Sequence, residues 1–308
     1  MKTLIIFTKI LASLWLLIYL WPNKHKPFPF FADAKNKPYN IAHRGGPALA
    51  PEETLAAFSK ARDVGADMFE YDVHITKDGH LIASHDPSVD RVTTGTGLIN
   101  EMTLAEIKQL DAGDKFVDLD GNRPYQGQGI TLATVEEIFQ AFPKQRAVIE
   151  LKDTNDPVLY EAIVQEMWRI VQKHRMEDKV IVASFDHAIN RRFKEISHGQ
   201  VAIGAGESEA THYIVKMVLR LNALAKTDSQ AFQLPLKQKG INLTQRQIVK
   251  GARRQGLDIY YWTVNDPATM RALIRKGVDG IMSDNPALLQ QIMDEELGRY
   301  LLLQHPQN

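Results

Sequence analysis

The sequence feature that most constrains the fold is a regular alternation of short apolar runs and amphipathic stretches, which begins after Pro38. Short runs rich in Val, Ile and aromatic residues predict buried strands, whereas apolar residues three or four apart predict helices. The predicted strands are 39–42, 68–75, 81–84, 147–151, 180–184, 201–204, 259–263 and 280–282, with 231–234 as a further candidate. The predicted helices are 54–64, 134–141, 157–174, 244–255 and 267–276.

Repeated strand-then-helix units imply a parallel sheet, and about eight of them close into a barrel. We therefore predict an α/β fold, a TIM-type (β/α)8 barrel over residues 39–292, followed by a C-terminal tail over 293–308. Residues 95–129 are rich in Gly, Asp and polar residues and are predicted to form an insertion or long loop. One helix is expected there, because Thr103 and Glu106 have the spacing of a capping box.

The composition excludes several classes of protein. Lys and Arg number 37, and so do Asp and Glu, which argues against a nucleic-acid partner because such proteins usually carry an excess of basic residues. There is no cysteine, so disulfides, thiolate metal sites and a cysteine nucleophile are all excluded.

The N-terminal segment is apolar from residue 3 to residue 21 and contains one charge, Lys9. As a helix it would be about 28 Å long, close to the thickness of a bilayer core. Residues 1–22 are therefore predicted to be a single-pass membrane anchor or an uncleaved signal. A cleaved signal peptide and a buried core helix are the alternatives.

The following segment, 23–38, combines prolines, lysines and aromatic residues, which is typical of a linker at a membrane interface. We expect Phe28, Phe30 and Phe31 to lie at headgroup depth together with Trp21. The four lysines of the linker favour a cytoplasmic catalytic part, but Lys9 weakens that inference, so the side of the membrane stays open.

Candidate metal ligands lie along the second and fourth predicted strands. Side chains alternate between the two faces of a strand, so Glu70 and Asp72 point the same way, towards the barrel interior. Glu150 and Lys152 repeat this arrangement on an otherwise apolar strand. Buried carboxylates need either a cation or basic side chains, and three of them make an oxygen site suited to Mg²⁺ or Ca²⁺. Pairing with Lys or Arg alone remains the alternative.

His43 and His85 end the first and third predicted strands, at the barrel rim where active sites of this fold lie. Two histidines on opposite sides of a phosphate can supply a general acid and a general base. Arg44 adds a bidentate phosphate donor. Trp262 faces inward by alternation and either contacts glycerol or a choline-like head group, or simply fills the core.

These motifs occur in a recognisable order. They are His-Arg-Gly at 43–45, Pro-Glu-Glu-Thr at 51–54, Glu-Tyr-Asp-Val at 70–73, His-Asp at 85–86, Glu-Leu-Lys at 150–152, Trp-Thr-Val-Asn at 262–265 and the run 277–284. Together they resemble the signature of the glycerophosphodiester phosphodiesterase family over roughly residues 39–289. The resemblance implies metal-dependent hydrolysis of a glycerophosphodiester to an alcohol and glycerol 3-phosphate.

The resemblance also implies roles for individual residues. His43 and His85 would carry out acid-base catalysis, and Arg44 and Lys152 would contact the phosphate. The metal would be bound by Glu70, Asp72 and Glu150, with His85 and Glu52 as further candidate ligands. The chain departs from the family pattern at Glu53, where the family usually has Asn. That extra negative charge would repel a phosphate unless it faces a cation or solvent.

Two other functions stay open at this stage. A lysophospholipase D would use the same chemistry on a substrate that retains one acyl chain, and a membrane anchor would favour it. A non-catalytic lipid- or phosphate-binding barrel is the alternative from a different class, but it would not need both histidines and all three carboxylates.

Overall fold

The computed structural model describes residues 2–20, 28–31, 37–221 and 224–304. The strands are β1 Tyr39–Ala42, β2 Met68–Ile75, β3 Leu81–Ala83, β4 Arg146–Leu151, β5 Val180–Ala183, β6 Ala202–Ile203, β7 Ala231–Pro235, β8 Lys237–Gln238, β9 Ile241–Asn242, β10 Asp258–Trp262 and β11 Gly280–Ser283. The α-helices are α1 Lys2–Leu20, α2 Leu55–Asp63, α3 Leu104–Ile107, α4 Val135–Ala141, α5 Tyr160–His174, α6 His187–Ile196, α7 Glu207–Val218, α8 Arg246–Gln255, α9 Pro267–Lys276 and α10 Pro286–Gln304.

Eight parallel strands form a nearly closed barrel in the order β6-β5-β4-β2-β1-β11-β10-β7. A parallel bridge between Gly204 and Ala231 joins the two ends of this order. Helices cover the outside, and apolar side chains from strands and helices fill the space between them. The predicted TIM-type barrel is thus confirmed.

The third predicted strand does not belong to the barrel. β3 pairs antiparallel with β2, with Val73 opposite Ala83. The turn between the two strands, 76–80, is too short for a parallel connection, which needs about a dozen residues or more. The eighth strand of the barrel is instead β7, which corresponds to the further strand candidate predicted at 231–234.

The N-terminal prediction needs a correction. Within the described residues, no helix is long and apolar enough to cross a membrane, so the expected single-pass anchor is wrong. α1 carries Lys9 and ends at Leu20, whereas Trp21 lies outside the described residues. Near the end of α1, the Tyr19 hydroxyl accepts a hydrogen bond from Arg254 Nη2 of the barrel at 2.9 Å.

The described residues 28–31 of the expected interfacial linker also differ from the prediction, whereas 23–27 and 32–36 lie outside the described residues. The Phe30 side chain is fully buried inside the barrel, where it packs among residues that include Tyr39 and Tyr260. The Arg146 guanidinium lies 5.3 Å from the centre of the Phe30 ring. Because Tyr39 and Arg146 are the first residues of β1 and β4, Phe30 closes the N-terminal end of the barrel. An aromatic ring gains more from this apolar interior than from an interface.

The last helix runs across the predicted boundary at 292. α10 continues to Gln304, and Glu296 accepts hydrogen bonds from Arg275 of α9 at 2.7 and 2.9 Å. Met293 is buried against the same part of the core. The first turns of the predicted tail therefore pack on the barrel.

Candidate active site

The three predicted metal ligands lie together at the C-terminal half of the barrel. β2 and β4 are neighbours, and their register places Asp72 directly beside Glu150. One carboxylate oxygen each from Glu70, Asp72 and Glu150 lies within 4.8 Å of the other two. Glu70 and Asp72 are almost completely buried. Strand alternation therefore brings these acids together, as the sequence predicted.

Crowding raises the pKa of two of these acids, Glu70 and Glu150. Burial, with the nearby charge of Asp72, raises the pKa of Glu70 to about 7 and that of Glu150 to about 8. Both carboxylates are therefore held less easily in the charged form than in water. Without a cation, these crowded carboxylates therefore lower the stability of the folded state.

Basic side chains offset part of this charge. Lys152 Nζ lies 3.0 Å from Glu150 and 3.3 Å from Asp72, and Arg44 Nε lies 3.4 Å from Asp72. Apart from these ion pairs, the buried atoms Asp72 Oδ2 and Glu150 Oε1 accept no hydrogen bond from the described residues. Buried oxygens with spare acceptor capacity fit a hard divalent cation, so this group could hold Mg²⁺ or Ca²⁺.

His43 follows β1 and is held by a carboxylate. Its Nδ1 lies 2.6 Å from Asp284 Oδ1, and its Nε2 lies 4.0 Å from Glu70 Oε2. Asn265 Nδ2 in turn donates to the other oxygen of Asp284 at 2.6 Å. Burial lowers the pKa of His43, but the hydrogen bond to Asp284 and the charge of Glu70 outweigh it, so the net shift is upward.

Arg44 is placed by an unusual backbone turn. Its φ of 48° is left-handed, and its backbone N–H donates to Glu70 Oε2 at 3.0 Å. Gly45 follows with a φ of 81°, where an added Cβ would lie 3.0 Å from the Cβ of Ala57. Glycine at this position permits both the turn and the close packing of α2. The guanidinium reaches Glu52 at 3.4 Å.

His85 has a matching carboxylate partner. Its Nδ1 lies 2.7 Å from Asp86 Oδ1, and Arg91 Nε donates to the other oxygen of Asp86 at 2.6 Å. Arg91 also donates to Glu52 at 2.7 Å. Sequence reasoning missed Arg91, because nothing in its spacing from His85 distinguishes it from a surface arginine. Asp284 and Asp86 belonged to recognised motifs, but their role as histidine partners was not predicted.

Two further residues near the carboxylates, His74 and Glu53, are held in the protein interior by hydrogen bonds. His74 lies between the Ser84 carbonyl at 2.9 Å and the Thr154 hydroxyl at 3.1 Å, and burial lowers its pKa to about 4. Glu53 has a left-handed φ of 61° and is fully buried, and its Oε1 accepts from the Asp72 N–H at 3.2 Å. Burial and the charges of Asp72 and Glu70 raise the pKa of Glu53 well above its usual value.

A cavity of about 570 Å³ opens beside these residues. One wall carries the histidines, Arg44, Lys152 and the carboxylates. Trp262 lines the cavity too, and its ring meets that of Phe185 edge to face at 5.9 Å. The structure thus places every predicted site residue except Glu52 on the cavity wall; Glu52 contacts Arg44 behind it.

The residues from 43 to 288 match the model of the glycerophosphoryl diester phosphodiesterase family. A glycerophosphodiester phosphodiesterase from Caldanaerobacter subterraneus is 34% identical over 252 residues, which cover 81% of this chain and 95% of the relative.

Solved structures show the same fold. A glycerophosphoryl diester phosphodiesterase domain from Mycobacterium tuberculosis superimposes with a TM-score of 0.72 at 20% identity, covering 83% of this chain and 98% of that domain. A phosphodiesterase from Oleispira antarctica, solved in complex with the product sn-glycerol-3-phosphate, has a TM-score of 0.68 at 26% identity and covers 84% of this chain and 97% of its own. The chain therefore belongs to the glycerophosphoryl diester phosphodiesterase family.

Proposed function

We propose that this protein hydrolyses glycerophosphodiesters to an alcohol and glycerol 3-phosphate. The observation that carries the proposal is the pair of carboxylate-bound histidines, His43 and His85, on the wall of a cavity that also contains three acidic side chains. The product found in the Oleispira antarctica relative supports glycerol phosphate as one product here.

Glu70, Asp72 and Glu150 would hold a divalent cation. Their oxygens are close enough to share one ion, and two of them retain acceptor capacity. When bound, Mg²⁺ or Ca²⁺ would offset the charge that develops on the phosphate in the transition state.

His43 and His85 would move the protons. Each has its Nδ1 beside an aspartate, so each ring is oriented and its Nε2 is left as the proton-carrying atom. One histidine removes the proton from the attacking oxygen, and the other donates a proton to the leaving alcohol. Which of the two starts the reaction is a matter for kinetics.

Arg44 and Lys152 would bind the phosphate oxygens. Both are cationic, line the cavity and already lie within 3.5 Å of the acidic group, so a phosphate entering beside the carboxylates would meet them. Trp262 offers an aromatic face to the rest of the substrate.

The test is a metal-supplemented assay with glycerophosphocholine that measures choline and glycerol 3-phosphate. His43→Ala and His85→Ala should each lower kcat by about a hundred-fold or more while the fold is kept. The control is His80→Ala, whose side chain is half exposed and off the cavity.

A fully active His43→Ala protein would refute the acid-base assignment. If His85→Ala loses metal affinity as well as rate, His85 is a metal ligand rather than a proton carrier alone. If the wild-type protein with metal releases neither product, the proposed function itself fails.

A further inference from the structure

One polar side chain in the cavity lies apart from the catalytic group. Gln233 is in the middle of β7, and its neighbours Phe232 and Leu234 pack among side chains of α7 and α8 on the outside of the barrel. Because side chains alternate along a strand, Gln233 points into the barrel, where it lines the same cavity as the carboxylates. The side chain is only partly buried, so a molecule in the cavity can reach it.

The amide of Gln233 is closely packed but not fully paired. A Cβ added to Gly204 would lie 2.7 Å from Gln233 Oε1 and 3.0 Å from its Nε2, so the amide lies directly over this glycine. Gln233 Nε2 is buried and has no hydrogen-bond partner among the described residues. A buried N–H group without an acceptor lowers stability, and a bound ligand that supplies an acceptor removes this cost.

The sheet register gives the distance from this amide to the acidic group. Ala183 of β5 lies beside Glu150 of β4, and its Cβ would be 2.7 Å from the Cβ added to Gly204. The amide over Gly204 is therefore two strand spacings, about 10 Å, from the backbone of Glu150. This span accommodates a phosphate beside the carboxylates together with a three-carbon glycerol. The hydroxyl furthest from the phosphate then lies at Gln233.

The two ends of a glycerophosphocholine differ in what they offer to an amide. The terminal hydroxyl of glycerol both donates and accepts a hydrogen bond, and a half-turn of the amide presents either Nε2 or Oε1 to it. The quaternary ammonium of choline neither donates nor accepts one. The glycerol end is therefore the end that matches Gln233.

We propose that Gln233 is a specificity-determining residue, which hydrogen-bonds the terminal hydroxyl of the substrate's glycerol. This inference rests on the proposed function, since it concerns substrate recognition in the same cavity. Its support is the inward position of the side chain, the unpaired Nε2 and the distance from Glu150. A site that pairs with a hydroxyl rejects an analogue without it, because the amide then stays unpaired.

The first measurement compares two substrates on the wild-type protein with metal present. One is glycerophosphocholine, and the other is the 2-hydroxypropyl ester of phosphocholine, which keeps the middle hydroxyl but lacks the terminal one. Choline release follows both reactions. The loss of the terminal hydroxyl should lower kcat/KM by about thirty-fold, because the amide loses its partner.

The second measurement repeats the comparison with Gln233→Met, which keeps the length of the side chain but removes the amide. It should lower kcat/KM for glycerophosphocholine by about ten-fold and leave that for the 2-hydroxypropyl ester nearly unchanged. If thermal unfolding shows that this variant is not folded, Gln233→Leu provides the same comparison. The matched control is Gln200→Met, which alters an exposed glutamine outside the cavity and should leave both values unchanged.

The outcomes separate this inference from the proposed function. Equal kcat/KM for the two substrates in the wild-type protein would overturn the inference while the phosphodiesterase activity stands. A folded Gln233 variant that loses activity equally on both substrates, or that discriminates as strongly as the wild type, would show that Gln233 does not recognise the hydroxyl. If the wild-type protein cleaves neither substrate, the proposed function fails, and this inference fails with it.

Discussion

The two ends of the barrel are built from the same strands but have opposite chemistry. At the C-terminal end, Glu70, Asp72 and Glu150 lie close together, and the raised pKa values of Glu70 and Glu150 reflect the cost of this crowding. At the N-terminal end, Phe30 and Tyr260 are completely buried in an apolar cluster. One end keeps an open, charged cavity, and the other is closed by aromatic rings.

The contrast teaches how the fold separates stability from function. Residues near the strand starts, such as Tyr39 and Met68, mainly contribute packing, whereas inward-facing positions near the strand ends carry groups that lower stability but can bind an ion and a phosphate. A change at one end should therefore affect mainly activity, and a change at the other mainly the free energy of unfolding.

The largest effect is expected from the charged end. Removing divalent cations with a chelator should abolish hydrolysis, because the three carboxylates alone would repel the phosphate. Glu70→Gln should weaken metal binding, which titration calorimetry measures directly. Full turnover in excess chelator would show that the carboxylates do not act through an ion.

The next effect is expected at the closed end. Phe30→Ala should lower the free energy of unfolding by about 3 to 5 kcal/mol, because it leaves a cavity where the ring is now completely buried. Urea titration measures this loss. A chain that begins at Lys37 lacks the same ring and should be destabilised similarly, yet kcat on glycerophosphocholine should be kept below the unfolding transition. A loss of kcat in the folded Phe30→Ala protein would break the separation between the two ends.

A smaller effect is expected from Arg91, which supports His85 at the charged end through Asp86. Arg91→Ala should lower kcat by about ten-fold with little change in KM, because Asp86 would no longer hold His85 firmly. Arg91→Lys should restore part of the rate. The control is Arg62→Ala, an exposed arginine paired with Asp63 on α2. If both arginine variants behave alike, Arg91 has no positioning role.

The smallest effect concerns a buried acid at the closed end. Burial and the neighbouring Asp279 raise the pKa of Asp258 to about 7, while its Oδ2 accepts from the Tyr260 hydroxyl at 3.1 Å. Because the folded state holds this proton more tightly than the unfolded state, stability is lost as the pH rises from about 4 towards 7. Asp258→Asn should therefore stabilise the protein more near pH 8 than near pH 5.

The measurement is urea unfolding of both proteins at the two pH values, with Asp63→Asn as an exposed control. An equal effect of Asp258→Asn at both pH values would show that the acid titrates normally in the folded state.

Periodicity in the sequence was enough to predict the barrel and much of its site. Alternation along 68–75 placed Glu70 and Asp72 on one inward face, because a strand repeats every two residues whatever surrounds it. Strand ends likewise predicted His43 at the rim. The strand predicted at 81–84 is present as β3, but it does not join the parallel barrel, because a short turn forces an antiparallel pairing that the local pattern does not reveal.

Contacts between distant segments could be decided only by the tertiary structure. The carboxylate beside His43 is Asp284, 241 residues further along the chain, and Arg91 joins Asp86 to Glu52 across 39 residues. The segment before the barrel could be recognised as apolar, but whether Phe30 lies at an interface or in a core depends on an opening formed by strands that follow it. Periodicity assigns a side chain to a face, whereas its partner on that face is chosen by how the whole barrel closes.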